Sequence, residues 1–102
     1  MIACFPGAIP PAERDAHFAL LTRIFRTMLR EQGEIANGYA YQFDASAFDD
    51  LARWITNERR CCPFLAFSLE LAPDEGPITV RLTGPEGTRT FLDAELGPAR
   101  AS

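Results

Sequence analysis

The feature that most constrains this chain is Pro63 in "NERRCCPFLAF", residues 57–67, because the apolar period changes across it. Before it, apolar residues recur at three and four positions; after it, Leu65, Phe67, Leu69 and Leu71 alternate with Phe64, Ala66, Ser68 and Glu70. A residue preceding proline is pushed out of the helical region, so a helix must stop here and a strand begin. Two adjacent cysteines, Cys61 and Cys62, stand at that junction. Whatever they do, they do it at a helix C-terminus.

The same reading places the other elements. "PPAERDAHFALLTRIFRTMLREQG" predicts a helix with Pro11 in its first turn and Gly33 as its stop, burying Phe18, Leu21, Ile24, Phe25 and Met28. His17 lies at the edge of that face. Arg23, Arg26 and Arg30 would share a solvated stripe of the same helix. "EIANGYAYQF" predicts a hairpin with Asn37-Gly38 in the turn and an aromatic face of Tyr39, Tyr41 and Phe43 packed on the helices. Ser46 is placed to cap a second helix, with Asp49 three residues on and Phe48, Leu51, Ala52 and Ile55 as its buried stripe, flanked by Trp54. "ITVRLT" completes a second hairpin after the turn "APDEGP", and Pro85 and Glu86 open a last helix.

The order helix–hairpin–helix–hairpin–helix predicts an α+β two-layer sandwich, an antiparallel sheet with helices mainly on one face. At 102 residues the chain reads as a single domain, 1–102, with an N-terminal segment 1–10 carrying Cys4 and a frayed tail at 97–102. The open sheet edge of such a fold leads to the expectation of a homodimer.

Net charge −4, with all ten basic residues Arg, disfavours a nucleic-acid partner and excludes lysine-based Schiff-base or P-loop chemistry. The all-Arg bias suggests a GC-rich, bacterial genome. No apolar run reaches the length of a membrane span, and no signal peptide is visible in the first residues; the expectation is a cytoplasmic protein without a membrane partner. Thiols are kept reduced there, and three cysteines is an odd number. Both facts argue against a disulfide framework.

The stretch from Glu58 onward resembles a family of small bacterial proteins of unassigned function, marked by Glu-Arg-x-Cys-Cys-Pro-Phe, an alternating strand and a Gly-Pro-Glu-Gly turn. The matching residues are Glu58, Arg59, Cys61, Cys62, Pro63 and Phe64, then Gly84 to Gly87; Cys4 and Gly38-Tyr39 resemble further family features. The resemblance implies the architecture and draws attention to three cysteines. It implies no activity.

Chemistry then rests on those thiols. Glu58 lies three and four residues before Cys61 and Cys62, within reach of both. A carboxylate and a helix C-terminus both disfavour a thiolate, which counts against a redox nucleophile. A metal ion reverses that balance by deprotonating its thiol ligands. Cys4, Cys61 and Cys62 would suit Zn(II) or another thiophilic ion, with Glu58 or His17 as fourth ligand. The leading expectation is therefore a small binding or sensing module holding such an ion. The alternatives are a thiol-dependent enzyme, with Cys61 or Cys62 as nucleophile and Glu58 or His17 as proton acceptor, and a purely structural homodimeric protein. In the last, the cysteines are core residues and Glu58 belongs to a surface ion-pair cluster with Arg59 or Arg60.

Overall fold

The computed structural model describes residues 2–100. Helix α1 (Pro11–Arg23) continues into a π-helical turn (Ile24–Met28), followed by β1 (Leu29–Ile35), β2 (Gly38–Phe43), α2 (Phe48–Cys61), β3 (Ala66–Leu71), β4 (Ile78–Thr83) and α3 (Thr88–Arg100). The four strands form one antiparallel sheet in the order β1-β2-β4-β3. This is the α+β sandwich expected, with the two hairpins side by side. The alternating residues explain its core. Tyr39, Tyr41 and Phe43 of β2 and Ile78, Val80 and Leu82 of β4 are all buried, and they meet Leu20, Ile24, Phe25, Leu51, Trp54, Leu92 and Leu96 from the helices. Phe25 is central: its ring stands edge-on to Tyr41, Phe43 and Trp54 at 5.3–5.5 Å.

The first helix is shorter than its sequence predicts. Leu29 already has extended geometry, Met28 O accepts the Asp44 N–H, and Gly33 lies inside β1 opposite Ala40 rather than ending a helix. Arg, Glu and Gln at 30–32 favour a helix, but pairing with β2 outweighs that preference. Arg30 consequently leaves the stripe of Arg23 and Arg26 and forms an ion pair with Asp44. The expected apolar face is largely kept, with Leu21, Ile24 and Phe25 buried, and departs from expectation at Phe18. His17, Leu20 and Leu21 are buried, whereas Phe18 is 57% exposed.

Further local expectations are corrected. The hairpin turn consists of Ala36 and Asn37, with only Asn37 at positive φ (55°), because Gly38 begins β2. Asp44, not Ser46, starts the second helical segment. Its carboxylate accepts both the N–H and the hydroxyl of Ser46 across a 3-10 turn (Ala45–Ala47), and those bonds, with Arg30, hold its pKa down at about 2. On α2 the buried stripe runs Leu51, Trp54, Glu58 and Cys61, while Phe48 is 41% exposed and Ala52 exposed. At the C-terminus α3 continues helical through Gly97 and Pro98 to Arg100 with Leu96 buried; residues 101–102 of the expected tail lie outside the described residues.

Candidate thiol site

Pro63 ends α2 as its sequence requires. Cys61 is the last helical residue, and Cys62 (φ −121°, ψ 77°) is the C-cap, its N–H donating to Glu58 O at 2.6 Å. The change of backbone direction at Cys62 turns the two adjacent side chains into one small buried cluster with Ile9.

The N-terminal segment is fastened over this helix end by backbone-directed bonds. Phe5 N–H donates to Cys61 O (2.6 Å), Arg60 Nη2 to Ala8 O (3.2 Å), and Arg14 Nε to Ile9 O (3.1 Å). A helix C-terminus leaves carbonyls without intrahelical partners, and here the incoming chain satisfies one of them. Those contacts carry Cys4 onto Cys62. The two form a disulfide with Cα atoms 4.4 Å apart, and Cys61 keeps a free, buried thiol. The expectation of no disulfide is thus overturned: an odd cysteine count is met by one bridge plus one thiol, and the fastened segment supplies the proximity. The three sulfur atoms all lie within 4.8 Å of one another.

Around the sulfurs stand buried polar groups. Glu58 is only 2% exposed and pairs with the equally buried His17, Nε2 to Oε1 at 3.1 Å; it belongs to no surface cluster, and Arg59 and Arg60 are exposed beside it. A chain of polar contacts continues on the far side of the ring. Arg60 Nη1 donates to Asn57 Oδ1 (3.5 Å), which turns Asn57 Nδ2 towards His17 Nδ1 (3.4 Å). On the other side Nε2 faces the Glu58 carboxylate, which accepts its proton in a hydrogen bond. His17 therefore engages Glu58 and is not among the groups that converge on the sulfurs. Glu58 is: a carboxylate oxygen of Glu58, the Cys62 sulfur and a carboxylate oxygen of Glu95 lie within 4.8 Å of one another.

Glu95, on α3, was not singled out from the sequence. Its Oε2 is 3.8 Å from the Cys4 sulfur. Burial and then the Glu58 charge raise its pKa to about 7, against a smaller lowering by His17. A signal for it existed, since Glu95 falls three residues after Leu92 and next to Leu96, on the side of α3 that faces the core. A cavity of about 100 Å³ opens here, lined by Cys4, Ile9, Arg14, His17, Phe18, Cys61 and Glu95. Burial pushes the Cys61 thiol above its ordinary range, and Glu58 and Glu95 push it further. That electrostatic setting suits a neutral thiol or a metal-bound thiolate, not a free nucleophile.

Comparison with protein-family models, curated proteins and solved structures gave no match.

Proposed function

We propose that this chain is a small binding module that, once Cys4–Cys62 is reduced, holds one thiophilic cation between Cys4, Cys61 and Cys62. The observation that carries this reading is the convergence of three sulfurs within 4.8 Å, one of them brought from 58 residues away. The first step is a two-electron reduction. Two small-molecule thiols give up two electrons to the Cys4–Cys62 bond, leaving one external disulfide and two cysteine thiols. The cation then displaces the thiol protons.

The surroundings favour that outcome. Three thiolates beside Glu58 and Glu95 would be an intolerable concentration of negative charge in a buried site, and a cation relieves it. Zn(II) bound by three sulfurs needs a fourth ligand, and Glu95 joins Glu58 as the oxygen donor at hand. His17 acts one step back, fixing Glu58 through its Nε2–H. A cytoplasmic, reducing compartment fits the reading, because there the bridge would stand open. The alternative of a thiol-dependent enzyme is disfavoured by the raised Cys61 thiol.

The test is an anaerobic titration of phosphine-reduced protein with Zn(II), and with Hg(II) as a softer probe. One ion should bind per chain, protect all three thiols from alkylation and raise the melting temperature. Cys61→Ser should weaken Zn(II) binding at least tenfold. If the thiols alkylate equally fast with and without either ion and the melting temperature does not move, the reading fails.

A further inference from the structure

The two edges of the sheet are built differently. The β1 edge is guarded: Glu31, Gln32, Gly33 and Glu34 are exposed, and a register irregularity falls between Leu29 and Glu31. Charges and bulges of this kind discourage a further strand from pairing. The β3 edge has no bulge, and its one charge, Glu70, is paired with Arg81. Its register with β4 is regular from Ala66 to Leu71, and on its helix-facing side Leu69 is 39% and Leu71 55% exposed. Phe48 of α2, 41% exposed, extends that apolar surface.

We propose that β3 is the seam of a symmetric homodimer, pairing antiparallel with β3 of a second copy about a two-fold axis at Leu69. The strand is self-complementary in this register. In an antiparallel pair, opposed residues share a face. Leu69 then meets Leu69 of the second copy, and Phe67 meets Leu71, so the three apolar residues of one face cover one another. On the other face Ser68 meets Glu70, whose charge is already paired with Arg81 at 3.1 Å. Centring the axis on Glu70 instead would oppose two carboxylates.

Charge fixes the occupant as a second copy. Two separate hollows lie along β3: one beside Leu65 and Ala66 includes Arg59, and the other beside Leu71 and Ala72 includes Glu75. Neither side chain has an ion-pair partner among the described residues. A two-fold axis reverses the strand, bringing each Arg59 towards Glu75 of the other copy in two reciprocal pairs. The two copies would join their sheets into one of eight strands and bury both open edges of β3.

Sedimentation equilibrium over a concentration series tests this. The wild-type chain should be dimeric at micromolar concentration. Leu69→Glu, which sets two carboxylates against each other on the axis, should be monomeric with an unchanged circular dichroism spectrum. Arg59→Glu and Glu75→Arg should each weaken the dimer at least tenfold, and the double exchange should restore it. A wild-type chain that stays monomeric at hundreds of micromolar overturns the proposal. So does a dimer that survives Leu69→Glu, or a double exchange that restores nothing.

Discussion

His17 Nε2 lies 3.1 Å from Glu58 Oε1, and this contact ties α1 to the last turn of α2 with both side chains out of water. Breaking a buried pair from one side costs more than the pair is worth, because the survivor is left desolvated. His17→Ala should therefore lower unfolding stability by about 3 kcal/mol. Glu58→Gln, which retains an acceptor for the Nε2–H, should cost about 1 kcal/mol. Urea unfolding of the single and double variants gives both values and their coupling. A His17→Ala midpoint close to wild type would show that the contact contributes nothing.

The Cys4–Cys62 bridge closes a loop with a sequence separation of 58. Loop-closure entropy for a ring of this size corresponds to about 4 kcal/mol, and Cys62→Ser should lose about 2–5 kcal/mol in the oxidised protein. In reducing buffer, the same substitution should cost far less. Thermal melts with and without reductant would show the difference, and equal losses in both would rule out a stabilising bridge.

Glu95 makes stability depend on pH in a defined direction. Its folded pKa, about 7, stands above the ordinary 4.5, so the folded state holds a proton that the unfolded state has released. The contribution is fully present below pH 4.5 and is lost as pH rises through 7. Oxidised wild-type protein should thus lose stability over this window relative to Glu95→Gln. Parallel slopes for the two proteins would contradict the assignment.

Gly38 has no room for a side chain. A Cβ there would collide with the Leu82 carbonyl on β4, although the residue lies in ordinary strand geometry opposite Thr83. Gly38→Ala should push β2 from β4 and cost about 2–3 kcal/mol, a typical overpacking loss. A melting temperature within a degree of wild type would show that the strands part freely.

Much of this architecture could be read from apolar spacing. Tyr39, Tyr41 and Phe43, or Ile78, Val80 and Leu82, alternate so regularly that sheet and core follow from them. Most of β1 falls within the predicted first helix for the opposite reason: its residues from Arg30 to Glu34 are exposed, so no apolar period marks a strand, and its only cue is the hairpin turn that follows. The site was legible in part. Cys61, Cys62 and Glu58 are close in sequence, and helix geometry brings Glu58 near the sulfurs. Glu95 and the bridge to Cys4 depend on contacts across 91 and 58 residues, which local patterns do not encode. Glu58 also shows why charge misleads on an amphipathic helix. It occupies the same stripe as Leu51 and Trp54, and the position, not the residue type, determines its burial.

The bridge also divides the chain mechanically. Cys4 to Cys62 is a closed ring containing α1, β1, β2 and α2, while β3, β4 and α3 hang outside it. Yet β4 lies between β2 and β3, so the outer segment supplies a central strand. Pulled by its ends, the oxidised protein would first pay out only the segment after Cys62, roughly 130 Å of contour length. Reduction would release the ring and add roughly 200 Å more. The redox state of a single bond would then set how far the molecule can be drawn out under force.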